Sequence, residues 1–308
     1  MEKLNPYEFL EFIVTDEKIK SRKFLEKMDI SSRHIRRACR ENSIYINGIR
    51  TFENVEVKKG DSVAIKFPDE SLNALCQYKD IDICYEDYDL LIVNKEYNCV
   101  THTAKDDSQD TLLNYLAAYF EKNNIKRKVR FVNRLDRDTS GLIIVAKNSY
   151  AHAKIMDEFS NNQVDKIYLA ICRGDFKEKQ GEIVKKISLC QDGIRREVDD
   201  DNGKYAKTKY QVLKDNKKLA LVKLKLFTGR THQIRVHLKS IGHPIIGDKL
   251  YNDSNEEQNL LDRQALHSYS LSFKLPRTGE LKTFTAKLSD DMDMLNHEIS
   301  WIFSRIIV

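Results

Sequence analysis

The feature that most constrains this chain is the stretch from Arg130 to Lys147, in which two apolar runs bracket a polar loop. The runs Phe131-Val132 and Leu142 to Ala146 are rich in β-branched residues, and the loop between them closes at Gly141. This pattern predicts a strand, a tight connection and a buried strand. A loop held between two such strands loses little alignment to thermal motion, which suits a group that takes part in chemistry.

Asp136 is the candidate reactive group in this loop, because a carboxylate on a well-anchored loop can act as a nucleophile or a base. Arg134 and Arg137 could keep it ionised, since a nearby positive charge stabilises a carboxylate. Thr139 and Ser140 could hydrogen-bond to the loop backbone and fix its shape. The residues alone leave a second interpretation open, in which the loop is a solvated turn of alternating charge.

The loop reads Asn133-Arg134-Leu135-Asp136 and then, after two residues, Thr139-Ser140-Gly141-Leu142. This combination resembles the catalytic motif of the RluA-type pseudouridine synthases, which usually has His-Arg-Leu-Asp followed by Thr-Ser-Gly. Asn133 stands where the family usually has His, a departure that could alter how the loop is supported. The resemblance implies that Asp136 attacks either the sugar or the base of a uridine.

Another strand, predicted further along the chain, carries a second part of the resemblance. Lys166, Tyr168 and Ala170 alternate along it, and Gly174 ends it. A lone tyrosine on a strand is usually half-buried packing, and the residues alone favour that interpretation. The resemblance implies instead that Tyr168 lies against the target base and acts in proton removal.

A third part of the resemblance lies in the run Gly229 to Arg235, which reads Gly-Arg-Thr-His-Gln-Ile-Arg. Thr231 could cap the helix that follows, and Gly242 could end it. An amphipathic helix with basic residues on its surface would explain the same pattern. The resemblance implies that Arg230 pairs with Asp136. It also implies that RNA is bound by Arg134, Lys166, His232, Gln233 and Arg235.

The N-terminal part of the chain is basic. Two short helices are predicted between Asp16 and Arg40, with a new N-cap in the break from Asp29 to Ser32, and Asn47-Gly48 signals a hairpin turn. Helices with Ser-Arg-His-Ile-Arg-Arg, then Ile-Asn-Gly, then Lys-Gly-Asp-Ser-Val, resemble an S4-like RNA-binding domain. A solvated helix face is the alternative. The resemblance implies phosphate contacts from Arg33, Arg36 and Arg37.

Composition and residue spacing limit the class of protein to which this chain can belong. A net charge of +5 leans towards polyanionic partners, and six scattered cysteines without a Cys-x-x-Cys pair favour reduced thiols in a cytoplasmic protein. No apolar run is long enough to span a bilayer, and the first residues do not read as a signal peptide. His232 and His237 are five residues apart, which argues against a helical zinc pair. Neither metal nor cofactor is expected, because isomerising uridine needs no redox change.

Together these features predict an α+β protein with the pseudouridine synthase fold, a largely antiparallel mixed sheet with flanking helices, preceded by a small α/β RNA-binding domain. The predicted boundaries are 1–70 for the S4-like domain, 71–79 for a linker and 80–308 for the catalytic domain. The predicted function is isomerisation of uridine in large-subunit ribosomal RNA by a monomer. A transfer RNA target, or a non-catalytic RNA-binding factor for ribosome assembly, are the alternatives.

Overall fold

The computed structural model describes residues 4–51, 54–102 and 109–305, with side chains through residue 299. The chain forms an N-terminal unit around a four-stranded sheet and a larger C-terminal unit around a ten-stranded sheet. Each unit has its own buried apolar cluster.

The N-terminal unit follows the predicted pattern. Its elements are β1 (Phe9–Ile13), β2 (Lys18–Lys20), α1 (Ser21–Lys27), α2 (Ser32–Arg40), β3 (Ile44–Ile46), β4 (Ile49–Thr51), β5 (Glu56–Lys58) and β6 (Ser62–Lys66). The four-stranded sheet runs β1-β6-β3-β4, and β2 pairs separately with β5. The predicted helix break is confirmed, because Ser31 caps α2 by accepting a hydrogen bond from the His34 backbone N–H at 3.3 Å. Asn47 and Gly48 both have positive φ, as the predicted two-residue hairpin turn requires.

The C-terminal unit is strand-rich with helices on its faces. Its elements are β7 (Asp82–Glu86), β8 (Leu90–Lys95), α3 (Leu112–Lys122), β9 (Arg130–Phe131), β10 (Ser140–Ala146), α4 (Ser149–Ser160), β11 (Asp165–Arg173), β12 (Gln180–Val184), β13 (Ile187–Leu189), β14 (Arg196–Val198), β15 (Lys207–Asp215), β16 (Leu219–Leu226), α5 (Gln233–Ser240), α6 (Asn255–Gln258), β17 (Leu266–Lys274), β18 (Leu281–Thr285) and α7 (Asp290–Arg305). The large sheet runs β12-β15-β16-β11-β17-β10-β8-β7, with β18 beside β17 and β9 beside β10. Its described pairs are antiparallel except β10 with β17, which confirms the predicted largely antiparallel mixed sheet.

Strand β10 positions the candidate catalytic loop. It is buried at every residue, as expected for a strand covered on both faces, and it pairs with β9 through Val145 and Phe131. The predicted strand, loop and buried strand are therefore confirmed. Gly141 has φ +110, and a Cβ there would overlap the Ser268 carbonyl and lie 2.6 Å from the Ser268 nitrogen. Only glycine allows β10 and β17 to meet this closely.

Residues 71–79, between the two units, have no regular secondary structure. The two units also contact each other directly. Tyr150 of α4 belongs to the apolar cluster of the N-terminal unit. Arg277 donates two hydrogen bonds to the Asp89 carboxylate, at 2.7 and 3.0 Å, and further hydrogen bonds to the backbone carbonyls of Pro6 and Phe9. The N-terminal unit therefore packs against the C-terminal unit, which is the predicted catalytic unit. The domain boundaries stay a prediction.

Within the described ranges, no helix combines the length and the apolar character needed to cross a membrane. The same residues contain no cluster of three or more His, Cys, Asp or Glu side chains that could hold a metal ion. All six cysteines are free thiols.

Candidate active site

Asp136 lies in the loop that joins β9 to β10, and Asn133 shapes this loop. The Asn133 side chain donates to the Leu142 carbonyl at 3.2 Å and accepts from the Ile144 backbone N–H at 2.8 Å. The Thr139 backbone N–H closes the loop on the Asp136 carbonyl at 3.1 Å. Because an amide carries both a donor and an acceptor, Asn133 binds the edge of β10 much as a strand residue would. The departure from the family's usual His therefore leaves the loop supported.

Lys95, at the end of β8, holds the other side of the loop. Its ammonium donates to the carbonyls of Glu96, Cys99 and Arg137 at 2.8, 2.9 and 2.9 Å. Burial lowers the pKa of Lys95 to about 8. Three carbonyl acceptors use all three donors of an ammonium group, so the side chain pins the loop in one position. Sequence reasoning gave Lys95 no part in the site.

Asp136 projects towards the start of α5, where two basic side chains face it. Its Oδ2 atom lies 3.4 Å from Arg235 Nη1 and 3.7 Å from His232 Nε2. Arg235 is buried and makes two hydrogen bonds of 2.7 Å to Asp248, which is fully buried. A bidentate pair of this kind fixes the guanidinium in position and in orientation.

The predicted pairing of Arg230 with Asp136 is wrong. Arg230 donates from Nε to the Tyr205 carbonyl at 3.1 Å, and Arg235 forms the ion pair instead. The two arginines differ in their surroundings. Arg235 lies in the first turn of α5, where the buried Asp248 holds it against the loop, whereas Arg230 precedes the left-handed His232, with φ 56, and is exposed.

Arg134 and Arg137, which were expected to keep Asp136 ionised, point elsewhere. Arg134 donates to Thr231 Oγ1 at 3.4 Å, and Arg137 pairs with the residue that follows it at 3.2 Å.

Thr231 does not cap α5 as predicted. His232 occupies the N-cap position and makes no side-chain capping bond. The predicted end of the helix is confirmed at Gly242, which has positive φ just beyond it.

Tyr168 reaches the same pocket from β11. Its side chain is only 9% exposed, and burial raises the pKa of its phenol to about 12. The nearby charge of Asp136 acts in the same direction, whereas a hydrogen bond to Ser268 opposes it. A phenol with such a pKa is protonated at neutral pH, so very little phenolate is present to act as a base in the free protein. Its ring remains a packing surface inside the pocket.

Three residues that were predicted to bind RNA are buried, and their side chains contact other groups of the protein. The Lys166 ammonium lies 5.4 Å from the centre of the Phe159 ring. Gln233 uses both ends of its amide internally, including a 3.0 Å hydrogen bond to Thr208 Oγ1. Arg235 is held in its carboxylate pairs. These contacts argue against direct RNA binding by the three side chains.

A cavity of about 130 Å³ lies over Asp136 and Tyr168. Leu226 and Leu266 form apolar parts of its wall, and the exposed Arg134 and Arg230 belong to its lining. Sequence reasoning missed the two leucines, because a leucine at a strand end has no signal beyond that of an ordinary core residue. The structure thus brings a carboxylate, a phenol and four basic side chains, Arg134, Arg230, His232 and Arg235, around one small opening.

Comparison with known proteins identifies the family. The family model described as RNA pseudouridylate synthase matches residues 89–240. YhcT, an uncharacterised RNA pseudouridine synthase of Bacillus subtilis, is 39% identical over 255 residues, which cover 82% of this chain and 83% of that protein. This chain belongs to the RNA pseudouridylate synthase family. It is therefore an isomerase that acts on uridines in RNA, as the sequence predicted.

Two further relatives bear on this synthase. Ribosomal large subunit pseudouridine synthase D of Zymomonas mobilis is 36% identical over 229 residues, which cover 70% of this chain and 71% of that protein. The solved structure of human RNA Pseudouridylate Synthase Domain Containing 1 matches with a TM-score of 0.56 and 27% identity, covering 72% of this chain and 95% of that one. These likenesses confirm the predicted family and the synthase fold.

Proposed function

We propose that this synthase isomerises a uridine in large-subunit ribosomal RNA, with Asp136 as the nucleophile. The observation that carries the proposal is the placement of Asp136, on a loop pinned from both sides, at a small cavity shared with Tyr168. Asp136 also faces the buried guanidinium of Arg235, whose Nη1 atom lies 3.4 Å from Asp136 Oδ2. The relative named as a large-subunit ribosomal synthase supports the choice of RNA.

The reaction breaks the bond between uracil N1 and ribose C1′, turns the base and joins its C5 to C1′. Asp136 attacks a carbon of the sugar or of the base, and the C5 proton leaves at the end while N1 gains one. A cavity of about 130 Å³ accepts a single ring, so the target base must leave the stack. Tyr168 lies against that base in this proposal, and Arg134 and Arg230 hold the flipped nucleotide from the rim.

We propose that the N-terminal unit binds the same RNA as an S4-like domain. Helix α2 exposes Arg33, Arg36 and Arg40, which together with Arg22 line a groove of about 600 Å³ that has no acidic side chain in its lining. Guanidinium groups in such a groove are suited to phosphate contacts. Arg37 is less suited, because it pairs at 2.7 Å with a carboxylate one helical turn later.

The test of Asp136 uses a neighbouring carboxylate as its control. Asp136 and Asp138 lie in one loop with side chains 33% and 31% exposed. Full-length wild type, Asp136→Asn and Asp138→Asn would each be incubated with unmodified transcripts of large-subunit ribosomal RNA and of transfer RNAs. Pseudouridine would be measured by mass spectrometry of the digested RNA.

Wild type and Asp138→Asn are expected to modify the ribosomal transcript. Asp136→Asn should form no pseudouridine and should bind RNA within about tenfold of wild type, or about 1.4 kcal/mol. Pseudouridine formed by Asp136→Asn would remove Asp136 as the nucleophile. Modification confined to transfer RNA would overturn the proposed substrate and leave the nucleophile in place.

The location and the oligomeric state belong to the same proposal. We propose that the synthase acts in the cytoplasm, since six free thiols fit a reducing compartment. We also propose that it acts as a monomer. Mapping pseudouridines in cellular RNA with and without the gene would identify the target, and light scattering would give the oligomeric state.

A further inference from the structure

Tyr251 lies behind the catalytic pocket, between α5 and the β13–β14 hairpin. Its hydroxyl accepts a hydrogen bond from the Arg196 backbone N–H at 2.7 Å and lies 2.7 Å from His232 Nδ1. The Tyr251 side chain is buried, and its ring meets the imidazole edge to face, with centres 5.6 Å apart.

These contacts decide which nitrogen of His232 carries the proton. A backbone N–H can only donate, so the Tyr251 hydroxyl accepts from Arg196, and among the described residues the acceptor within hydrogen-bond distance of its own proton is His232 Nδ1. The reverse arrangement, with Nδ1 as the donor, would leave the buried O–H without an acceptor and would turn the lone pair of Nε2 towards the Asp136 carboxylate. Nδ1 is then an acceptor, and the proton of the neutral imidazole sits on Nε2. Nε2 faces the Oδ2 atom of Asp136 at 3.7 Å.

The groups around His232 favour the neutral ring. Burial, the largest effect, lowers its pKa, and the positive charges of Arg235 and Arg196 act in the same direction. The carboxylates of Asp136 and Asp248 oppose this change but do not reverse it. His232 therefore presents an uncharged N–H to the loop at neutral pH.

We propose that Tyr251 is a positioning residue whose hydroxyl holds His232 as the Nε2–H tautomer, so that this N–H orients the attacking carboxylate of Asp136. The inference rests on the proposed role of Asp136 as the nucleophile. When one carboxylate oxygen is steered by an N–H, the other is presented to the substrate in a defined direction. Hydrogen bonds thus connect the β13–β14 hairpin through Tyr251 to His232, whose Nε2 faces Asp136 Oδ2 at 3.7 Å.

Nuclear magnetic resonance of the ¹⁵N-labelled full chain tests the tautomer without RNA. Long-range proton–nitrogen spectra distinguish the two imidazole tautomers, and His232→Gln identifies the His232 signals. Wild type should show Nε2–H. Tyr251→Phe should raise the pKa of His232, because a donor to Nδ1 stabilises the neutral ring. Tyr210→Phe is the matched control, since Tyr210 is also buried and its hydroxyl lies 3.5 Å from the Glu178 carbonyl.

Single-turnover kinetics on the large-subunit ribosomal transcript test the consequence. Tyr251→Phe should lower the maximal rate about 10- to 100-fold without changing the concentration that gives half of this rate, the usual size when an orienting partner is lost. Tyr210→Phe should leave the rate unchanged. An Nδ1–H signal in wild type, or an unaltered His232 titration in Tyr251→Phe, would overturn the proposal.

Failure of the proposed function can be told apart from failure of this inference. A wild type that is inactive on the transcript would count against the substrate alone, because the spectra are recorded without RNA. The wild-type spectrum also decides the tautomer if Tyr251→Phe does not fold.

Discussion

At the residue scale, the cation that faces Asp136 comes from α5 and is itself held by a buried carboxylate. Arg235 bridges Asp136 and the fully buried Asp248, whereas the side chain of Arg230 is exposed and donates to the Tyr205 carbonyl. The two arginines of one motif therefore differ in their surroundings. Arg235 is part of the site's internal structure, and we expect the exposed Arg230 to meet the substrate.

Substituting the two arginines should separate these tasks. Arg235→Gln leaves Asp248 buried without its ion pair, and we expect it to lower the free energy of unfolding by about 3–5 kcal/mol. Arg230→Gln should change it by about 0.5 kcal/mol or less, as is usual for an exposed side chain. Urea unfolding of the two variants measures the difference. Equal stabilities would mean that the Arg235–Asp248 pair is not structural.

The raised pKa of Tyr168 makes its predicted role testable by pH. If the phenol removes the C5 proton, it must act as phenolate, and with a pKa of about 12 that fraction grows steadily as pH rises above neutral. Tyr168→Phe should keep RNA binding and lower the single-turnover rate on the order of 10²-fold. It should also remove the rise of the rate with pH. A variant that turns over like the wild type would make Tyr168 a packing residue, and another group or water would take the proton.

Sequence motifs located the site but not its internal contacts. Asp136 and Tyr168 were found because their spacing and residue types follow the family pattern, and the structure places both at one cavity. The predicted partner of Asp136 was wrong because the position of Arg235 depends on its pairing with the buried Asp248, a contact that no spacing rule reveals. Tyr251 was unassigned, since its contacts join distant parts of the chain.

At the element scale, local signals were enough for some helix starts and for the Asn47-Gly48 hairpin, but not for the cap of α5. Ser31 caps α2, and Thr111 caps α3 in a reciprocal pair with Asn114, so each helix start is decided within four residues. The parallel pairing of β10 with β17 could not be foreseen, because it joins Gly141 to Ser268 across most of the catalytic unit. That pairing places the catalytic loop at the centre of the sheet.

Gly141→Ala tests how much the loop depends on this close approach. A methyl group there would meet the backbone of Ser268 in a conformation with φ +110, so we expect the free energy of unfolding to fall by more than about 3 kcal/mol. Gly193→Ala is the matched control, because Gly193 also has positive φ, at +71, but nothing lies within 4 Å of its added Cβ. The control should lose about 1 kcal/mol from backbone strain alone. Similar losses of unfolding free energy in the two variants would show that the close approach of β17 is not the reason for a glycine at position 141.

At the scale of the whole molecule, the two units were foreseen but their contact was not. The basic helices and the hairpin predicted an N-terminal unit from local patterns, and a separate apolar cluster lies at its centre. Arg277, which joins Asp89 to the backbone of Pro6 and Phe9, acts across almost the full length of the chain. Such a contact has no sequence signature, so only the structure shows how the two units pack together.

The groove of α2 gives the last prediction, which concerns how the whole molecule binds RNA. Replacing Arg33, Arg36 and Arg40 together by Gln in the full chain leaves the core of the N-terminal unit intact, because all three side chains are exposed. If each releases about one counterion on binding, the slope of log K against log salt should become shallower by about 2–3. The single-turnover rate at saturating RNA should not change, since none of the three lines the catalytic cavity.

The matched control replaces three exposed lysines of the catalytic unit, Lys177, Lys217 and Lys218, by Gln and so removes the same charge. They lie beside the turn between β15 and β16, whereas the catalytic cavity is lined by Leu226 at the other end of β16. Filter binding of the large-subunit ribosomal transcript across a salt series would compare the two triple variants. A shallower slope in the arginine variant alone would place α2 on the phosphate backbone, because the net charge of the two variants is equal. Equal slopes would mean that the arginines of α2 are solvated in the complex and that the catalytic unit binds the RNA by itself.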